Sequence, residues 1–434
     1  MRLELADYPV TRIRLGQRFR YEGGVLEIDA AAVEESIRTD ERIIGASLCV
    51  ASPGEKVRIT GIRDVVEPRV KVSGKGQVFP GILGAVEPVG AGRTNRLSGM
   101  AVTVTAEYHG TVRAGLGVER SALLDMWGPG ATASKFSDLQ HLILVLRLRE
   151  GLSELDAHTA IQSAEFKTAH RIAEATTGLE PAGIEVFDLS SRNPELPNIV
   201  LLQGCLTDNL HVHSGVSYYG LSIRESLATV IHPNEVIDGA LAGNTTRAVA
   251  YHPTVYDWQN HPIALGLSRD HGRRLNFLGI ILQRIRYETF HGKEVVAHNA
   301  AQLATTLAAN GAVVTWLGSG NAFMDVMLTV QACEQRGIET VLVTYEYGGK
   351  DGVDSPLLFY VEEANAVVST GTRDRWLELP EAERIVGPYE ELSILSYPGA
   401  PVARAKDALT LDARDMLIGG VDNWGKENWI CRGY

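Results

Sequence analysis

Between residues 275 and 344 the chain alternates short apolar runs with helix-length amphipathic stretches, and this alternation constrains the fold more than any other feature. Strands are expected at 275–282, 312–317 and 340–344, separated by helices at 296–310 and 322–336. Strands spaced by helices of that length join through right-handed crossovers, so they build a parallel sheet covered on both faces. The second half is read as an open α/β domain.

The first half reads differently. Residues 1–95 hold short β-rich runs at 10–15, 25–28, 46–50, 57–62 and 70–72, with turn signals between them and one short helix near 30–37. Further on, strands are expected at 101–105 and 142–146, followed by an amphipathic helix from about 155 to 176. Ile161, Ala164, Ala169, Ile172 and Ala173 keep the helical period there, and Gly178 ends it. An apolar strand at 199–202 precedes the segment around Asn244. A chain of 434 residues is expected to divide into more than one domain. The expected fold is α/β: a β-rich lobe at 1–95, a mixed α/β segment at 96–244, and an open parallel-sheet domain at 245–434.

Several function classes are set aside by composition. A net charge of −12 does not suit a general binder of phosphate backbones, so no nucleic-acid partner is expected. No apolar run reaches the length of a membrane helix, and the first residues lack the apolar core of a signal peptide, so a cytoplasmic protein with no membrane partner is expected. Cys49, Cys205, Cys333 and Cys431 are scattered without a CxxC pair, which reads as buried or incidental thiols. GxSxG, P-loop and HExxH signatures are absent.

What remains is a set of local constellations. A hydroxyl residue after a Gly-Asn turn, as in Gly243-Asn244-Thr245, is placed to cleave its own backbone. Thr245 Oγ attacks the Asn244 carbonyl, the amide becomes an ester, and β-elimination leaves a residue that hydrolyses to a 2-oxoacyl group. Asp238 falls in a short helix started by Pro233, and either orients the scissile loop or caps a helix end. Gly318-Ser319-Gly320-Asn321 lies between a strand end and a helix start, where free N–H groups favour an anion such as a substrate carboxylate; a plain tight turn is the alternative. Phe323 stands where a dinucleotide fingerprint needs its third glycine, so no nucleotide cofactor is expected. Glu346 and Asp351 follow the next strand on the same carboxyl edge and are candidate acid or base groups, or surface charges of a glycine-rich loop. His211 and His213 lack a third ligand nearby and read as structural, so no metal is expected. His232, His252 and His261 flank the segment as possible proton carriers or structural residues.

Taken together, stretches along the whole chain carry a family resemblance. They include Met1-Arg2-Leu3-Glu4-Leu5, Asp40-Glu41-Arg42-Ile43, Asp64-Val65-Val66-Glu67-Pro68-Arg69-Val70-Lys71-Val72, Phe79-Pro80-Gly81, Gly90-Ala91-Gly92-Arg93-Thr94 and Asp125-Met126 with Gly128-Pro129-Gly130-Ala131. The later ones are Pro233 with Glu235-Val236, Asp238-Gly239-Ala240, Gly243-Asn244, Gly320-Asn321, Glu346-Tyr347, Lys350-Asp351-Gly352 and Gly433-Tyr434. With them the chain resembles the proprotein subunit of glycine, sarcosine and betaine reductase component B, and more distantly the proline reductase proprotein. The resemblance implies an oxidoreductase precursor that cuts itself after Asn244, the next residue becoming a pyruvoyl group. That carbonyl is expected to form a Schiff base with the amine of a small amino acid or related substrate. A cysteine or selenocysteine on a separate partner subunit then displaces nitrogen from the α-carbon. Thr245 stands where the reductases carry cysteine, so the group expected here is 2-oxobutanoyl, one methyl larger. Two other outcomes stay open: a free N-terminal Thr245 acting as an amidohydrolase nucleophile, and an unprocessed substrate-binding or scaffold subunit.

Overall fold

The computed structural model describes residues 1–107, 122–207, 215–243, 253–318, 320–351, 357–393, 402–411, 414–425 and 430–432. Asn244, Thr245, His211, His213, His252 and Ser319 lie outside these residues.

The first half is built on a mixed sheet whose strands run in the order Ala122–Asp125, Val57–Val66, Met100–Glu107, Gln140–Leu148 and Ile43–Ala51, with Arg384–Val386 also paired to Val57–Val66. Every residue of Val57–Val66 is buried, so the strand is covered on both faces. The helix Glu154–Ala173 covers one of them. Ser153 accepts from Asp156 N at 3.1 Å to start that helix, and acidic residues in its first turn and Arg171 in its last complement the dipole. Its buried stripe of Ile161, Ala164, Thr168, Ala169 and Ile172 packs into the first-half core, and Glu165 lies on the same stripe. A second sheet, ordered Gly183–Asp188, Arg2–Asp7, Gly92–Arg96 and Arg69–Ser73, is laced by ion pairs from Arg93 to Glu4 and from Arg96 to Asp7.

The second half is a seven-stranded sheet in the order Ala228–Ile231, Asn276–Ile285, Asn198–Leu206, Gly311–Leu317, Glu339–Glu346, Val367–Thr372 and Ile430–Arg432. The five inner strands are parallel, as the alternation of strands and helices predicts, and the two edges are antiparallel. Helices Phe290–Thr306 and Phe323–Glu334 pack on each other over this sheet. Asn198–Leu206 is its topological switch point, because Asn276–Ile285 pairs on one side of it and Gly311–Leu317 on the other.

Pairings cross both of the boundaries expected from sequence. Asn198–Leu206 belongs to the seven-stranded sheet, and Arg384–Val386 belongs to the first-half sheet. Arg58 ties this C-terminal region down: fully buried, it pairs with Asp125 at 2.6 Å and donates to the carbonyls of Ala405 and Asp407 at 2.6 and 2.9 Å.

Candidate functional site

The stretch leading to Asn244 is fixed at several points. Pro233–Ile237 is a short helix with Pro233 in its first turn. His232 accepts from Asn234 N at 3.1 Å while Glu235 accepts from His232 N at 2.9 Å, a capping box that closes both orphan donors. The hydroxyls of Tyr218 and Tyr219 donate to the other oxygen of Glu235 at 2.9 and 2.8 Å. Asp238 follows and is completely buried. Its carboxylate accepts from Thr94 Oγ1 at 2.5 Å and from Gly90 N at 2.7 Å, and it is ion-paired with Lys71. At Gly239 φ is 86°, and an added Cβ would meet Val78 at 2.9 Å, so the turn after Asp238 requires glycine.

The next residues bury into different cores. Leu241 packs with Cys205, Trp258, Leu317 and Trp424 against the seven-stranded sheet. Ala242 packs with Val255, Ile161 and Phe166 in the first-half core. Gly243 and Pro253 come together, since a Cβ on Gly243 would lie 2.9 Å from the Pro253 carbonyl oxygen. Residues 244–252, with the Asn244-Thr245 bond, connect these two points.

Two buried carboxyl groups lie on the elements that hold Gly243 and Val255. Gln162 donates to the Gly243 carbonyl at 3.5 Å, and Glu165 lies one helical turn further along the same buried stripe. Asp64 Oδ1 accepts from Val65 N at 2.8 Å and from Val255 N at 2.9 Å. Asp64 Oδ2 and both oxygens of Glu165 are buried without a hydrogen-bond partner. Burial pushes the Asp64 carboxyl up to about 7, and burial together with the Asp64 charge holds Glu165 well above the usual carboxylate range. Asp64 and Glu165 were not singled out as functional in the sequence reading. The available signal was a glutamate interrupting the apolar stripe of the helix.

The carboxyl edge of the parallel sheet holds the second group of expected residues. Gly318, Gly320 and the buried Glu346 all lie there. Tyr345 donates to the Gly318 carbonyl, Gly320 N donates to Tyr347 Oη at 2.9 Å, and Arg373 donates to the same oxygen at 3.2 Å. Trp316 stacks on Tyr345 with ring centroids 5.3 Å apart. Burial keeps the Tyr345 phenol neutral. Asn321 and Asp351 are exposed on this edge, away from the tyrosine pair's hydrogen bonds. Deeper under the same edge, Lys293 and Asp325 form a buried ion pair, and Lys293 also donates to the Arg286 carbonyl at 2.7 Å. Arg373 was missed from sequence because it follows Val367–Thr372, the neighbouring strand, which the sequence pattern did not reveal.

His261 is buried between structural partners. Its Nε2 donates to Gln203 Oε1 at 3.0 Å, its Nδ1 accepts from Ala264 N at 3.4 Å, and the ring stacks on Trp424 at 3.9 Å. Burial, helped by the Lys135 charge, pushes its pKa down to about 3. The folded imidazole stays neutral while the unfolded one takes a proton below 6.5, so stability is lost as pH falls. Relative to a His261→Asn chain, the wild type is expected to lose about 1.4 kcal/mol per pH unit below pH 6. Urea unfolding of both chains at pH 7 and pH 5 checks this, and equal shifts in the two would contradict it.

Among the described residues no group of three or more metal-ligating side chains is present, and no helix is long and apolar enough to cross a membrane.

Comparison with known proteins adds to this geometry. Residues 1–427 match the family of glycine/sarcosine/betaine reductase component B subunits. The chain is 30% identical to the glycine reductase complex component B subunits alpha and beta of Peptoclostridium acidaminophilum, over the full length of both. It is 31% identical to the protein of the same name from Acetoanaerobium sticklandii, over 89% of each chain. The D-proline reductase proprotein of Acetoanaerobium sticklandii is 20% identical over 79% of this chain and 54% of its own length. No solved structure matches.

Proposed function

The chain belongs to the glycine/sarcosine/betaine reductase component B family, and we propose that it is the self-processing subunit of an amino-acid or amine reductase. In this reading the bond between Asn244 and Thr245 breaks, and the second chain begins with a 2-oxobutanoyl group. The observation that carries it is that relatives aligned over 89% and 100% of this chain are named for two subunits, alpha and beta. A further relative is named a proprotein.

The structure supports the reading in two ways. Gly243 and Pro253 come together, and the Gly243 carbonyl accepts from Gln162 on the helix that carries Glu165, whose buried carboxyl oxygens have no partner and so are available for proton transfer. Leu241 also shares a core with Cys205 and Leu317, which lie at the carboxyl ends of switch-point strands, where open α/β proteins take ligands. A 2-oxoacyl carbonyl draws electrons from a substrate's amino nitrogen and makes it a better leaving group. The chain's own residues then bind and orient. Gly318, Gly320 and Asn321 receive the substrate carboxylate beside Arg373, and Glu346 and Asp351 serve proton transfer at the same edge. A partner subunit carrying cysteine or selenocysteine supplies the nucleophile. We place the complex in the cytoplasm, where free thiols such as Cys205 and Cys333 stay reduced.

Mass spectrometry of the purified protein tests the reading. Two chains are expected, the second starting at position 245, lacking ammonia relative to a threonine end and reducible by borohydride. A free threonine at that end, readable by Edman degradation, would favour the amidohydrolase, and an intact 434-residue chain would remove the cofactor.

A further inference from the structure

We propose that the chain carries a second small-molecule site, a cavity of about 430 Å³ in its first half that takes a small organic acid with an apolar body. The cavity lies between the helix Ala30–Arg38 and the helix Glu154–Ala173, with Phe19, Gln77 and Leu83 closing it from neighbouring loops. Its volume is in the range that small ligands use. Arg171, in its lining, comes about two and a half helical turns after Gln162, which puts it on the face opposite the one that holds Gly243. The site is therefore separate from the stretch leading to Asn244 and independent of processing there.

Its floor is apolar, formed by Phe19, Val33 and Leu83, and all three pack on the first-half core, which holds the floor from behind. One wall is cationic. Lys167, His170 and Arg171 line it from the helix Glu154–Ala173, and residues four apart on a helix share a face, where like charges repel. The Arg171 guanidinium is fixed 4.5 Å over the Phe19 ring and donates from Nη1 to Glu174 at 2.6 Å. Glu174 is the only acid in the lining, and it neutralises Arg171. Lys167 makes no ion pair or hydrogen bond among the described residues. Asp40, in the adjoining recess, is already held by two Arg42 nitrogens at 2.8 and 2.6 Å.

This lining selects the ligand. A carboxylate that reaches both Lys167 and Arg171 gains charge-assisted hydrogen bonds and relieves the repulsion between them. Its apolar body then leaves water for the floor of Phe19, Val33 and Leu83. Ser36 and Gln77 add a hydroxyl and an amide that orient further polar groups. A cationic ligand finds a single carboxylate that is already paired, and a neutral one leaves Lys167 without a counter-charge. Because the ligand bridges two helices, binding stabilises the folded chain.

Phenylacetate is the probe, titrated into the full-length protein while the thermal midpoint and the heat of binding are measured. The wild-type midpoint is expected to rise with phenylacetate concentration. Phenylacetamide, the same body without the charge, is expected to bind about tenfold more weakly or worse. Lys167 and Arg171 are exposed, so Lys167→Glu and Arg171→Met are expected to keep the ligand-free midpoint of the wild type. Each is expected to lose about tenfold or more in phenylacetate affinity. Ser36→Trp, which fills the cavity and leaves its charges in place, is expected to abolish binding. A wild type that binds no phenylacetate at millimolar concentration overturns the site, and equal binding of the amide overturns its preference for an acid. Affinity unchanged in all three variants places the probe elsewhere, as at the carboxyl edge of the parallel sheet, and overturns the cavity as the site.

Discussion

Thr245→Ala is expected to leave a single 434-residue chain with no borohydride-reducible group, however long the protein is held. The side-chain oxygen is the nucleophile of the first step and the leaving atom of the elimination, so alanine removes both steps at once. Thr245→Cys is expected to do the opposite. A thiol ionises more readily than a hydroxyl and is the better nucleophile and leaving group. Cleavage should then be faster than in the wild type, and the new end should be a pyruvoyl group, lighter by one methylene. Intact mass measured over time separates the three chains. Two chains from Thr245→Ala would show that another residue or a protease cuts the segment. An intact Thr245→Cys chain beside a cleaved wild type would show that the surroundings are built for a hydroxyl.

The second-half sheet was legible because its strands are covered on both faces. Strands buried that way read as unbroken apolar runs, and the runs expected at 275–282 and 312–317 become Asn276–Ile285 and Gly311–Leu317. Arg2–Asp7 and Gly92–Arg96 were not legible. Their side chains satisfy one another through the Arg93–Glu4 and Arg96–Asp7 ion pairs, so charge stands where an apolar alternation would have signalled a strand. The central place of Asn198–Leu206 escaped as well, because its partners follow it by more than 70 residues and periodicity carries no long-range pairing.

The candidate site divides along the same line. Gly318, Gly320 and Glu346 reach one sheet edge because they follow strand ends, which a local pattern reveals. Asp64 and Glu165 lie on a strand and a helix that pack together from distant parts of the chain, a juxtaposition no local pattern reveals, and only the glutamate interrupting the helix's apolar stripe is marked in the sequence. Asp238 was legible as a residue of the turn before Asn244, but its surroundings were not. Lys71, Gly90 and Thr94 arrive from the Arg69–Ser73 and Gly92–Arg96 strands and the turn between them.

Those surroundings set the other large effect: Asp238→Ala is expected to destabilise the folded chain by about 3–5 kcal/mol. Asp238 is completely buried, and the Lys71 side chain is 2% exposed. Removing the carboxylate strands the ammonium in the core and leaves the Gly90 N–H and the Thr94 hydroxyl without their acceptor. Lys71→Met costs less, because the carboxylate keeps two hydrogen bonds. The double variant Lys71→Met/Asp238→Ala is expected to be more stable than Asp238→Ala alone, since no uncompensated charge remains buried. Urea unfolding of the four chains gives the coupling energy directly. Additive losses would mean that the ion pair contributes nothing and that Asp238 matters only as a hydrogen-bond acceptor. The cycle also bears on processing. Asp238 lies six residues before Asn244 and pins the turn that carries the chain to Gly243. If it acts by holding that turn, cleavage should slow in Asp238→Ala and recover in part in Asp238→Asn, which keeps an acceptor for Thr94. A proton-transfer role would leave both variants equally slow.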